Sequence, residues 1–152
     1  MAAKKKIKKR RKWYSGGLHF ECVGCGQCCS GPEEGYVWIK KREIELLAKE
    51  LGKSVEETYE KYTRLIVKRY SLIEKSPSND CIFLKNTETG KGCQVYNVRP
   101  NQCRTWPFWS MNLHLKDMWE IAAVSCPGMN RGKYYSFEEI ENLRKQDKWW
   151  KE

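Results

Sequence analysis

The sequence predicts a small α+β domain with a cysteine-rich centre, short strands including a hairpin, and several short helices. Three observations point there. Eight cysteines occur in 152 residues, four of them between positions 22 and 29. Helical periodicity appears behind recognisable capping residues, and short β-branched or aromatic runs alternate with turn residues. The chain length implies one domain able to bury an ordinary apolar core, so neither metals nor disulfides are compulsory for folding.

Taken in order, residues 1–17 read as a disordered basic arm closed by Ser15-Gly16-Gly17, because like charges repel and nothing there can be buried. The domain then occupies 18–152. After the first cysteines, YVWIK (36–40) reads as a strand. In KKREIELLAKELG (40–52), Ile44, Leu47, Ala48 and Leu51 fall at helical spacing and Gly52 is placed to stop the helix. Ser54 followed by Glu57 predicts a capping box for a second helix over 55–62. RLIVKRYSLI (64–73) reads as one strand and SPSND as a loop. CIFLK, NTETGKG and CQVY read together as a hairpin with Cys81 on one strand and Cys93 on the other. Pro100 opens a short helix that carries Cys103 and ends before Pro107. A helix near 115–124 delivers Cys126-Pro127-Gly128, and a last helix follows Ser136, with Glu139 again in the capping-box place.

Charge narrows the function classes. The net charge of +10 looks like a nucleic-acid signature, yet residues 4–12, KKKIKKRRK, hold eight of the 29 lysines and arginines. The remainder carries 21 basic against 19 acidic residues. Basicity therefore belongs to the arm and not to a surface. The arm leaves open a solvated tail or a segment that binds RNA, the ribosome or DNA through phosphates with steep salt dependence, with an anionic membrane surface ranked behind both because the arm has no lipid and no amphipathic face. No transmembrane segment is predicted, since no apolar run approaches the roughly 18 residues of a span. The start lacks the apolar stretch of a secretory signal, and Ala2 rules out myristoylation. A cytoplasmic, reducing setting follows as the expectation, where clustered cysteines read as metal ligands or redox groups and not as a disulfide scaffold.

Cys22-x-x-Cys25 is a strong ligand spacing, because two intervening residues let a tight turn aim both sulfurs at one ion. Gly24 supplies the freedom to turn, and Cys25-x-x-Cys28 repeats the step around Gly26. A tetrahedral zinc would take three thiolates from this loop and a fourth from Cys81, Cys93, Cys103 or Cys126. In extended chain, neighbouring side chains diverge, so Cys28 and Cys29 are expected to face two different metals. Either eight thiolates divide between two sites or bridging thiolates link them; alternatively one or two are buried free thiols. Iron is the rival, since the loop matches the opening of a bacterial ferredoxin and Cys126 precedes proline. However, the position where that pattern needs its next cysteine holds Pro32.

FECVGCGQCC (20–29), CIFL (81–84), GCQVYNVRPNQCRTWPF (92–108) and CPG (126–128) together resemble the C-x-x-C-x-x-C-C family of zinc- or iron-chelating proteins, over roughly residues 18–145. The resemblance implies metal ligation by Cys22, Cys25, Cys28, Cys29, Cys81, Cys93, Cys103 and Cys126. It also brings an iron–sulfur oxidoreductase label carried by some members. Methylase activity, associated with a related motif elsewhere, is not transferred, because this chain has no glycine-rich loop after a strand.

Other residues have competing roles. Arg99 and Arg104, flanking Cys103, either donate to thiolates or form ordinary salt bridges. His19, three residues before Cys22, is an unneeded ligand beside eight cysteines. Trp106, Phe108, Trp109, Trp119, Tyr134, Tyr135 and Phe137 read as core before base-stacking platform. No nucleophile–base pair or paired carboxylates mark a catalytic constellation. Three functions follow: an accessory or structural metalloprotein whose body needs its metal to fold, an iron–sulfur redox protein serving a partner enzyme, or a nucleic-acid-binding module using residues 4–12.

Overall fold

The computed structural model describes residues 10–148. It is an α+β arrangement of six short helices and nine short strands among those residues. Residues 4–9 of the basic arm, and Trp149 and Trp150, lie outside the described residues.

Strand β1 (Leu18–Phe20) leads into the cysteine loop, after which β2 (Trp38–Ile39) precedes helix α1 (Lys41–Leu51). The periodic residues Ile44, Leu47 and Ala48 are the buried face of α1, and Gly52 closes it at φ 64°, a left-handed turn that favours glycine. Helix α2 (Val55–Tyr62) starts at Ser54, whose hydroxyl accepts from Glu57 N at 3.0 Å. The expected reciprocal half of that box is not made. The Glu57 carboxylate instead takes Lys53 and Lys61, at 2.8 and 2.7 Å, one turn away on either side.

The run expected as one strand over 64–73 is a hairpin, β3 (Thr63–Ile66) and β4 (Arg69–Leu72), with Leu65 opposite Tyr70. Its turn is carried by Val67 at φ 58° and Lys68, residues with no turn signature. The fold makes the reversal because β4 then lies between β2 and β3, and all three strands gain ladder partners. Next come β5 (Glu74–Lys75) and β6 (Asp80–Cys81), paired around the loop 76–79, then the hairpin β7 (Leu84–Thr87) and β8 (Gly90–Cys93). The expected hairpin is thus shorter than its sequence signal. Cys93 ends β8, whereas Cys81 pairs with Glu74 and belongs to β6.

Helix α3 (Asn101–Thr105) begins after Pro100 and carries Cys103, as its sequence predicts. Helices α4 (Ser110–Leu113) and α5 (Lys116–Ser125) follow, with Cys126 at the α5 C-terminus. Strand β9 (Met129–Tyr135) pairs antiparallel with β1 across the length of the chain, and α6 (Phe137–Arg144) closes the fold behind a complete Ser136/Glu139 capping box.

Two apolar clusters result. One gathers Tyr14, Phe108, Leu113, Trp119, Met129 and Ile140; the other gathers Ile39, Ile44, Leu47, Leu72, Phe83 and Val95. Tyr14 is only 3 % exposed and its hydroxyl donates to Glu141 Oε1 at 2.7 Å, while Trp13 Nε1 donates to Leu113 O. The packed body therefore reaches back past the expected boundary at residue 17, because two aromatics at the arm's end have a core to enter. No helix among the described residues is long and apolar enough to cross a membrane.

Candidate metal centre

The cysteine loop spans the gap between the two apolar clusters. Its entry is fixed on the first cluster's side, where Glu21 N donates to Gly128 O at 3.0 Å. Its exit is fixed to the other side: Gly31 N donates to Asp80 Oδ1 at 3.0 Å, next to Cys81, and Lys91 Nζ donates to Ser30 Oγ at 3.1 Å, two residues before Cys93. Polar tethers thus dock the loop onto the strands that carry two distant cysteines. Gly26 adopts φ 69°, and a Cβ there would stand 2.8 Å from Lys91 Cβ, so both backbone conformation and close approach call for glycine.

After Gly26 the chain makes a single 3-10 turn over Gln27–Cys29, with Cys29 N donating to Gly26 O at 3.0 Å. This turn overturns the expectation that Cys28 and Cys29 diverge. Their sulfurs are 3.7 Å apart. Two sulfurs bound at about 2.3 Å to one tetrahedral ion would stand about 3.8 Å apart, so the pair is spaced to share an ion. Divergence holds for extended backbone, and a 3-10 turn is not extended.

A cavity of about 650 Å³ opens beneath the loop. Cys22, Cys28, Cys29, Cys81, Cys93 and Cys103 all line it. Cys25 is half-buried and Cys126 lies toward the first apolar cluster, where its sulfur accepts from Trp106 Nε1 at 3.4 Å; neither belongs to the cavity wall. Among the described residues, no three cysteine, histidine, aspartate or glutamate side chains are gathered tightly enough to hold one ion. The fit is therefore one of donor chemistry and of the Cys28–Cys29 spacing.

The backbone prepares some of these sulfurs for negative charge. The N–H groups of Phe83 and Leu84 point at Cys81, and that of Val95 points at Cys93, each favouring the thiolate. Burial acts more strongly in the other direction and pushes the Cys81, Cys93 and Cys103 thiols up. Cys28 is lowered to about 7, chiefly because Cys29 donates a hydrogen bond to it, and Cys29 is pushed up by the same bond. Cys29, Cys81, Cys93 and Cys103 are thus favoured as neutral thiols and Cys28 ionises more readily, and a thiophilic cation would displace the remaining protons.

Arg99 and Arg104 separate into the two roles weighed for them. Arg104 NH2 pairs with Glu43 Oε1 at 3.5 Å, an ordinary salt bridge. Arg99 lies in the cavity wall, and its charge favours the thiolate forms of Cys28, Cys93 and Cys103. His19 Nδ1 is 2.9 Å from Gly132 O and, a carbonyl being only an acceptor, donates to it across the β1–β9 ladder. His114 is exposed at the end of α4. Phe108 and Trp119 are core, Trp106 and Trp109 are half-buried beside the cavity, and Tyr134 is 51 % exposed, contrary to its core reading. Lys12, the last residue of the basic run, spends its charge on Glu141 at 2.8 Å. Sequence reasoning misses Asp80 and Lys91, which anchor the loop; their positions just before Cys81 and Cys93 are the only signal they leave.

The fold and the convergent thiols define a small cysteine-cluster domain. The chain belongs to the CxxCxxCC family, described as a "putative zinc- or iron-chelating domain", whose model matches residues 21–127. The chain is also 30 % identical over 95 residues to the uncharacterized protein MJ0661 of Methanocaldococcus jannaschii, a match covering 62 % of this chain and 48 % of that one. It thus spans about half the length of that curated relative. No solved structure matches.

Proposed function

We propose that this protein holds zinc or iron through its cysteine thiolates and serves an accessory or structural role in a reducing, cytoplasmic setting. The observation that carries the reading is the convergence of Cys22, Cys28, Cys29, Cys81, Cys93 and Cys103, drawn from four separate chain segments, on one cavity. Cys81 and Cys93 also pack against the second core and Cys126 against the first, but the exposed Cys22 and Cys28 have no packing role to account for them. When bound, the metal supplies a cation that neutralises the thiolates and joins the loop to the second core. The chain's own residues orient the sulfurs through the N–H groups at 83, 84 and 95 and hold the loop in place through Asp80 and Lys91. Cys25 and Cys126, outside the cavity wall, complete the eight cysteines of the proposed ligand set.

A second reading, an iron–sulfur redox protein, is favoured by one feature. The thiols ring a wide cavity yet no three of the described ones stand together at single-ion spacing, and inorganic sulfide extends the reach of a thiolate site. Anaerobic purification with metal and acid-labile sulfide quantified per chain separates these readings. Zinc without colour supports the first, and iron with sulfide and absorption near roughly 400 nm supports the second. Cys93→Ser and Cys103→Ser should each reduce the metal content, and Cys126→Ser should reduce it least. A chain that takes up neither metal, as isolated or after reconstitution, would overturn both.

A further inference from the structure

We infer that Arg99 is the built-in counter-charge of the thiol cavity and sets its affinity for metal, an inference that rests on the metal-binding reading above. Thiolates around a divalent ion carry excess negative charge, and their mutual repulsion is costly where water is partly excluded. Several cations stand near the cavity. Arg104 is paired with Glu43, Lys75 donates to the Leu84 carbonyl, and Lys91 donates to Ser30, while Lys133 sits 4.6 Å over the Tyr135 ring with no hydrogen bond among the described residues to fix its ammonium.

Arg99 differs from these. Its Nε donates to Tyr96 O at 2.8 Å and its guanidinium carbon lies 3.6 Å from the Tyr96 ring centre, so the group is held on both an edge and a face. Among the described residues its two terminal nitrogens have no hydrogen-bond partner and no carboxylate within salt-bridge reach. The following Pro100 is buried and opens α3, which carries Cys103 only four residues beyond Arg99. A planar cation with four uncommitted N–H groups is therefore fixed in the wall that Cys28, Cys93 and Cys103 share. Thiolates formed there would find a counter-charge already oriented, and so would not have to draw one from solvent.

The test is competition for zinc(II) between the chain and a chromophoric chelator, at low and high salt, with wild type, Arg99→Gln, Arg99→Lys and Arg104→Gln. Arg99→Gln should weaken zinc binding about 10–100-fold, the size found when groups behind metal ligands are removed. Arg99→Lys should recover only part of the loss, because the ammonium keeps the charge but not the fixed planar fork, and salt should narrow the gap. Arg104→Gln should bind as wild type does. At saturation, cobalt(II) should give the same thiolate charge-transfer spectrum in wild type and Arg99→Gln, since the ligands are unchanged. An Arg99→Gln protein with wild-type affinity overturns the inference, and so does one whose cobalt spectrum is altered, because its role is then structural. A wild-type chain that binds no zinc, cobalt or iron overturns the metal reading itself.

Discussion

Trp119 is wholly buried, stacked on Phe108 and donating to Asn130, whereas Cys28, in the loop that gives the chain its signature, is exposed. The contrast extends to their surroundings. The two cores are held by apolar burial, which is non-directional and needs no cofactor. No residue of the loop over 21–31 is buried, and the loop is held by polar tethers at its two ends. What the difference teaches is that body and site have separate sources of order. Beside the expectation that the whole body needs its metal to fold, this contrast sets a local alternative in which only the loop does.

The largest effect should come from the core. Trp119→Ala should destabilise by about 3–5 kcal/mol in chemical denaturation, with or without metal. A much smaller loss would mean that the cores are not what holds the body together. Glu141→Gln should come next, because this carboxylate accepts from Lys12, Tyr14 and Arg144 and so pins the chain's start to α6. We expect a loss of about 1–2 kcal/mol at neutral pH, discounted for solvent screening. Hydrogen bonding from Arg144 holds Glu141 well below its ordinary value of 4.5. A depressed folded-state value contributes stability above the unfolded one and loses it on acidification. The gap between wild type and Glu141→Gln should accordingly close as pH falls below about 4.5. A gap that stays constant with pH would assign the effect to packing.

Ser136→Ala, which removes the hydroxyl that accepts from Glu139 N at the start of α6 and leaves the backbone N–H that donates to the Glu139 carboxylate, should cost about 1 kcal/mol in the same assay. Val67 is 89 % exposed at φ 58°, so Val67→Gly should stabilise the β3–β4 hairpin by about 0.5–1 kcal/mol. The smallest effect on the cores sharpens the comparison most. Chelating the metal should raise amide hydrogen exchange over 21–31 while leaving α1 and α5 protected. If α1 and α5 lose protection together with the loop, the metal is part of the fold after all.

Much of the body is legible in the sequence. The bounds of α2, the stop at Gly52, the start of α3 after Pro100 and the capping box at Ser136 are local decisions, each made within one helical turn of the residues that signal it. Strand β9 is not legible, because MNRGKYY is mostly exposed and lacks two-residue alternation. The reversal at Val67 escapes for the opposite reason, since a β-branched residue hides the turn. Tyr14 reads as part of the arm because its partners, Phe137 and Glu141, lie more than 120 residues away along the chain.

For the site, the sequence by itself determined which atoms are available: eight thiols, glycines where the loop must turn, and membership in a zinc- or iron-chelating family. Only the tertiary structure decided which thiols meet. Six face one cavity, Cys28 and Cys29 converge through a 3-10 turn, and Arg99, not Arg104, is left with its charge uncommitted beside them. Donor chemistry is a property of single residues and survives in a string of letters. Convergence depends on backbone handedness and on tethers such as Gly31 to Asp80, which join segments about 50 residues apart and have no local signature.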